Sequence, residues 1–284
     1  MPRSIQQFLV DDAAKLAAAL ALDTTSARLE VQYLLLHVLQ KPRSWLLAHP
    51  EQGLTEAQQV DYQQFLQRRL QGEPIAYILG EREFFGLDFK VTPATLIPRP
   101  ETELLVELAL QRIPAQPHFH VLDLGTGSGA IALSIARARP DIEVTATDVA
   151  LAALAVARDN AQQLGVANVV FVHSDWFDGL GGPSFDLIVA NPPYVAIDDL
   201  HLQQGDLPFE PSAALISGMD GLDDIRRITG QAPPHLRSGG WLLLEHGYDQ
   251  AAKVRELLRQ AGFGEVFSAC DLSGIERVSG GCLA

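Results

Sequence analysis

The stretch His120-Val121-Leu122-Asp123-Leu124-Gly125-Thr126-Gly127-Ser128-Gly129 decides the fold. Residues 120–124 are a short, largely apolar run and read as a buried strand. Three glycines at alternate positions then let the backbone turn tightly and approach a ligand without Cβ clashes. Residues 130–138, rich in Ala, Ile and Leu, continue as a helix. A strand that runs through a glycine loop into a helix begins an α/β fold.

The same alternation extends downstream. A strand over 143–147 leads to a helix over 151–164, closed by Gly165, and strands follow over 169–173 and 185–190. A helix over 223–235 precedes a strand over 241–245, although Pro233-Pro234 should kink it or end it early. A helix over 249–260 and two closing strands finish the chain. The pattern implies a mostly parallel sheet with helices on both faces.

Upstream, residues 1–80 carry only helical signals, over 5–20, 27–39 and 55–71. The last of these opens on the capping box Thr55-Glu56-Ala57-Gln58 and stops at Gly72 and Pro74. Residues 83–92 alternate around Gly86 and predict a β-hairpin, and Pro100 suits the first turn of a helix over 101–112. The expected division is a small helical domain over 1–80, a hairpin linker over 81–98 and an α/β domain over 99–284.

The 284 residues carry a net charge of −14 and are 47% apolar, with a pI near 4.9. Such a chain lacks the Lys and Arg footprint that a duplex phosphate backbone requires. The two cysteines, Cys270 and Cys282, have no metal-ligand or CxxC spacing, and the eight histidines form no ligand pair. No metal is therefore expected. No run reaches the ~18 apolar residues of a membrane span. Residues 13–22 resemble a signal core but contain Lys15 and follow Asp11-Asp12. A cytoplasmic monomer is the expectation.

The candidate chemistry begins at the glycine loop, Gly125, Thr126, Gly127, Ser128 and Gly129. Taken alone it could be a tight turn. Its spacing is GxGxG, neither the GxGxxG of dinucleotide folds nor the GxxxxGK[ST] of phosphate loops. No Lys follows, and Asp123 would repel a pyrophosphate, so a nucleoside without phosphate fits better. Asp148 ends the next strand, where a carboxylate accepts from a ribose diol, or else caps the following helix. Asp175 and Trp176 follow the third strand and could read an adenine edge, with Trp176 or Phe177 walling the ring; a turn aspartate beside a core aromatic is the alternative.

Asn191-Pro192-Pro193-Tyr194 stands directly after the apolar run 185–190. Two prolines cannot continue a ladder, because neither has an N–H to donate. The strand must end there, as a plain strand terminus or as a place where the Asn191 amide, the Pro192 carbonyl and the Tyr194 ring converge on a planar NH2 group.

Together these residues resemble the class I S-adenosylmethionine-dependent methyltransferases, which implies a Rossmann-like, mostly parallel seven-stranded sheet. With Ile97-Pro98-Arg99-Pro100-Glu101-Thr102-Glu103, the NPPY loop and Phe209-Glu210-Pro211, the whole chain resembles the HemK/PrmC family of glutamine methyltransferases. The resemblance implies S-adenosyl-L-methionine as cofactor, and as partner a peptide chain release factor methylated on the glutamine of its Gly-Gly-Gln loop. It also places Arg99 and Glu101 near the pocket. Asn191 and Pro192 would each accept one N–H of the glutamine, while Tyr194 packs beside the amide or the sulfonium. Cofactor would rest on Gly125 to Gly129, Asp148, Asp175, Trp176 and Asn191, and substrate on Asn191 to Tyr194. A sister group that methylates a ribosomal-protein glutamine shares NPPY but departs from the Pro-Glu-Thr segment. An adenine N(6)-methyltransferase on DNA or RNA is the other alternative, disfavoured by charge and by the lack of a Lys/Arg cluster near 191–211.

Overall fold

The computed structural model describes residues 3–115, 118–182 and 185–284. They form two compact units, Met1–Gly80 with Gln203–Phe209, and Glu81–Leu202 with Glu210–Ala284.

The first unit holds five helices among the described residues: α1 Ile5–Leu20, α2 Thr24–Leu39, α3 Arg43–Ala48, α4 Glu56–Leu70 and α5 Ile75–Leu79. Capping boxes start two of them, Ser4 with Gln7 and Thr55 with Gln58, and Asp23 caps α2. Thr24 therefore belongs to α2, earlier than its apolar pattern begins. Ile5, Phe8, Leu16, Leu34, Leu35 and Tyr62 fill the core. The buried Asp12 carboxylate is matched by Tyr62 Oη at 3.0 Å, Lys15 at 2.8 Å and Arg3 at 3.1 Å. Arg69 is likewise buried and pairs with Glu30 at 2.7 Å and Asp206 at 3.1 Å, so the short segment 203–209 is tied to α4.

The second unit opens with a hairpin, β1 Glu81–Phe84 and β2 Leu87–Lys90. Phe84 pairs with Leu87, which leaves a two-residue turn whose Phe85 and Gly86 both have positive φ, 51° and 73°. That is the turn whose twist matches a hairpin. Pro100–Thr102 forms a 3-10 turn ahead of α6 Glu103–Arg112. The alternation then runs β3 His120–Leu124, α7 Ala130–Ala138, β4 Glu143–Asp148, α8 Leu151–Leu164, β5 Val169–His173 and β6 Phe185–Ala190. It finishes with α9 Asp223–Gln231, β7 Leu236–Glu245, α10 Ala251–Gln260, β8 Phe263–Cys270 and β9 Glu276–Leu283. The seven-stranded sheet has the order β5-β4-β3-β6-β7-β9-β8, with β9 alone running opposite to the other six.

Two apolar layers cover the sheet. Val121, Leu187, Val189 and Leu243 join Leu105, Val106 and Ile131 on one face. Leu122, Leu124, Ile188, Leu242 and Leu244 meet Ile225, Ile228, Val254 and Leu258 on the other. Burial on both faces is why residues 185–190 read as an unbroken apolar run rather than an alternating one.

The early end of α9 is the one that Pro233-Pro234 predicts, whereas β7 starts before the expected strand over 241–245. Helix α9 stops at Gln231, because Pro233 and Pro234 lack the N–H that would continue it; they form a 3-10 turn with His235 instead. Strand β7 begins at Leu236, before the Gly239-Gly240 pair, with a register shift against Phe185 and Leu187.

Candidate active site

Sheet register sets the site. Thr147, Leu124, Ala190 and Leu244 form one row across four parallel strands. The next residue on each strand, Asp148, Gly125, Asn191 and Glu245, therefore lies along one carboxyl rim. Strand order reverses between β3 and β6, and ligands of open α/β sheets bind in the crevice at that reversal.

A cleft of about 280 Å³ lies there, lined by Gly125, Gly127, Asp148, Trp176, Asn191 and Pro193 among others. Gly125 and Gly127 have φ of 71° and 57°, a left-handed conformation that costs a residue with a Cβ ~1–2 kcal/mol. The loop is fastened at both ends. Thr126 Oγ1 donates to Asp123 Oδ2 at 2.6 Å, and Asn160 Nδ2 on α8 donates to the Ser128 carbonyl at 2.8 Å. The same Asn160 pairs with Lys90 N and O, which ties the hairpin to the loop.

Asp123 is fully buried, and burial pushes its pKa up to about 7. Asp148 is raised as well, first by burial, against the N–H groups of Ala150 and Gly127 that its oxygens accept at 2.8 and 2.9 Å.

Trp176 faces the cleft, its six-membered ring beside Gly125. Its φ of 49° is strained for an aromatic residue. Ser174 Oγ donates to its carbonyl at 2.8 Å and Asp224 Oδ1 accepts its indole N–H at 3.2 Å. Phe177 is instead core, stacked on His235 at 4.6 Å. Asp175 lines the cleft, but Arg227 grips both its oxygens, at 2.8 and 2.9 Å.

In the NPPY loop, Asn191 Nδ2 donates to the buried Thr102 Oγ1 at 3.2 Å. Pro192 is buried, and neither it nor Tyr194 is among the cleft-lining residues. Tyr194 Oη donates to Glu245 Oε1 at 3.4 Å, and its carbonyl accepts from Gln250 Nε2 at 3.0 Å. Burial, then the Glu245 charge, raises the Tyr194 hydroxyl's pKa.

The two other sequence segments singled out above also meet. Glu210 is buried, accepts the Ile97 N–H at 3.0 Å and pairs closely with Arg99. Thr102, Glu210, Asp224, Arg227 and Glu245 were not foreseen as a set. Their partners lie tens of residues away in sequence. One signal did exist for Glu245: a carboxylate ending the apolar run Trp241-Leu242-Leu243-Leu244.

The cleft fits a nucleoside sulfonium. It offers a carboxylate at the end of β4, an indole wall and a glycine loop without a basic side chain. Its two arginines, Arg99 and Arg227, are each already paired with a carboxylate. Sheet order and rim together define a class I S-adenosylmethionine-dependent methyltransferase.

Comparison with known proteins narrows the class. Residues 13–80 match the PrmC N-terminal domain, and residues 101–206 the methyltransferase small domain. The release factor glutamine methyltransferase of Bordetella pertussis is 53% identical over 90% of this chain and 95% of that protein. That of Pseudomonas aeruginosa is 51% identical over 90% and 93%. The chain belongs to the release factor glutamine methyltransferase family. For fold alone, the T. thermophilus 16S rRNA N2 G1207 methyltransferase, solved with AdoMet and guanosine, superposes with a TM-score of 0.54. It is 20% identical, over 72% of this chain and 50% of that one.

Proposed function

We propose that this protein methylates the side-chain amide of the glutamine in the Gly-Gly-Gln loop of peptide chain release factors, using S-adenosyl-L-methionine. The observation that carries the reading is Asn191, held at the rim of a nucleoside-sized cleft with its NH2 turned away to Thr102. Its Oδ1 is left as an acceptor. A planar NH2 needs such acceptors, and an Asn oxygen supplies one without a charge.

The bound cofactor would supply an electrophilic methyl on a sulfonium. Gly125, Thr126, Gly127, Ser128 and Gly129 cradle it, Asp148 accepts from its ribose, and Trp176 walls the adenine with Asp175 at the edge. An amide nitrogen is a weak nucleophile, so the protein's task is positioning and charge complementarity. Asn191 Oδ1 and the Pro192 carbonyl each accept one N–H of the glutamine and fix its nitrogen. As positive charge builds on that nitrogen, both acceptors stabilise it, and the nitrogen, made acidic by alkylation, loses one N–H proton along the same hydrogen bonds. Pro193 lines the cleft beside the amide, and Tyr194, held by Glu245 and Gln250, fixes the loop that presents it.

Recognition of the protein substrate is assigned to the helical unit, since the cleft residues already account for cofactor and amide. A release-factor substrate places the enzyme in the cytoplasm; no described helix is long and apolar enough to cross a membrane.

The test combines methyl-labelled cofactor with purified release factor, its Gly-Gly-Gln glutamine variant and nucleic acid. Label should appear on the glutamine-bearing protein only. Label on nucleic acid would replace this reading with an adenine methyltransferase. In single-turnover assays Asn191→Ala should lose ~10²–10³-fold in rate while cofactor binding by calorimetry holds. Undiminished methylation would remove Asn191 from the role.

A further inference from the structure

We propose that Asp224 is a positioning residue for cofactor binding: from the first turn of α9 it holds the indole N–H of Trp176 and so fixes the wall against which the adenine stacks. The proposal rests on the cofactor role given to Trp176 above.

Trp176 is poorly held by its own backbone and rotamer. Its φ of 49° lies in the left-handed region, where a bulky residue is strained. Such residues persist only where the surroundings over-determine them, and they gather at ligand clamps. Rotation of an aromatic ring about χ2 is also broad, so side-chain preference alone leaves the face of the indole unset. The surroundings supply what is missing. Ser174 Oγ donates to the Trp176 carbonyl at 2.8 Å and accepts the Gly179 N–H at 2.8 Å, which closes the turn. At the ring, Asp224 Oδ1 accepts the indole N–H at 3.2 Å, while the six-membered ring lies beside Gly125. The indole is thus held at one edge and backed at the other.

Asp224 is itself fixed. Its Oδ2 accepts the Ser217 hydroxyl at 2.7 Å, and Ser217 Oγ accepts the Asp224 N–H at 2.8 Å. Ser217 in turn donates its N–H at 2.9 Å to the carbonyl of Val195, the residue after the NPPY loop. One turn along α9, Arg227 grips both oxygens of Asp175 and reaches Asp178 at 3.3 Å. Residues three apart on a helix share a face. That face holds the whole turn after β5, and both Asp224 and Arg227 line the cleft. The Ser217 pair is enough to start α9; the Oδ1 contact is the one that reaches the cofactor wall.

The decisive variant replaces Trp176 by benzothienylalanine, an isostere in which sulfur takes the place of the N–H. The stacking surface stays and Asp224 keeps Ser217, so α9 is untouched. A ring freed of its tether must be ordered by the cofactor on binding, which should raise cofactor Kd and KM about 3- to 10-fold. The kcat at saturating cofactor and the KM for release factor should hold, because the adenine takes no part in the transfer. Asp224→Ala should give the same split, and the isostere in that background should cost nothing further. Wild-type cofactor Kd in the isostere overturns the proposal, as do losses that multiply in the double variant or a loss confined to kcat. If Asp224→Ala folds poorly, the isostere with Asp224 intact still decides. Trp176→Ala tests the reading beneath: a wild-type Kd there removes Trp176 from the cofactor site. A weakened Kd in Trp176→Ala beside an unaffected isostere sinks the tether alone.

Discussion

At the scale of single residues, Asp148 does two things with one side chain. Its oxygens accept the Gly127 and Ala150 N–H groups, which fixes the glycine loop against the start of α8. Each oxygen still has a free lone pair for a ribose hydroxyl. Asp148→Ala should therefore weaken cofactor binding by roughly 10- to 100-fold, the worth of charge-assisted hydrogen bonds at ~1.5–3 kcal/mol. Titration calorimetry reads this directly, and an unchanged Kd would take Asp148 out of the site. Asp148 and Asn191 were legible in the sequence because each stands at the end of a strand, where the chain must leave the sheet. Thr102, Glu210 and Glu245 were not read as site residues. They are paired with groups 89, 113 and 51 residues away, and no periodicity records such a meeting. Asp175 shows the limit from the other side. Its place after β5 was legible, but its clamp by Arg227 on α9 arises only when the two segments fold together.

At the scale of elements, the glycine loop and α7 depend on Gly129. Its φ is 86°, and a Cβ there would lie 2.9 Å from Leu133 Cδ1 and 3.3 Å from Ala157 Cβ. Both neighbours sit on packed helices, α7 and α8, and Ala157 has no side chain to move aside. Gly129→Ala should lower stability by ~2–4 kcal/mol, backbone strain and crowding together. Thermal unfolding checks this; a Tm within a degree of wild type would show that the helices can part at no cost. The elements themselves were readable where one rule dominated. Strands β3, β5 and β6 and helices α7 and α8 fall where apolar runs and Gly165 put them. Boundaries failed where local chemistry overrode pattern. Asp23 capped α2 earlier than its apolar face suggested, and β7 begins at Leu236 and runs through Gly239-Gly240, ahead of the apolar run from Trp241. Gly240 is tolerated there because its bare Cα sits against the Arg237 and Asp186 carbonyls, where a Cβ would come within 2.8 and 3.2 Å.

At the scale of the whole molecule, charge and burial combine into a pH dependence. The chain has 35 Asp and Glu against 21 Lys and Arg, so each proton lost adds to self-repulsion. Of the buried carboxyls, Asp12 and Glu210 are matched by ion pairs, whereas burial raises Asp123 and Glu245 to about 7. Around Glu245 the facing groups are Thr102, Tyr194 and Arg277, which pull its pKa down, and Glu101, which pushes it up. Between roughly pH 4 and 7 the folded chain keeps protons on Asp123 and Glu245 that the unfolded chain has released. The unfolded state then binds fewer protons, so stability falls as pH rises through that window. Opposite groups exist: Ser26, Arg139 and Arg226 hold Asp23, Asp141 and Asp220 below the usual carboxylate range. Those contributions are lost only on the acid side of the ordinary carboxylate pKa, and the three side chains lie in screening solvent. The stability maximum should consequently sit below neutrality, with Tm declining from pH 5.5 to pH 8. Salt should recover the part due to surface repulsion, since exposed charges are screened within ~10 Å at 0.1 M. It should leave the buried part, which Asp123→Asn should flatten instead. Calorimetry at both pH values, in low and high salt, separates the two. A Tm that rises toward pH 8, or an Asp123→Asn profile as steep as wild type, would show that these carboxyls ionise without strain in the folded protein.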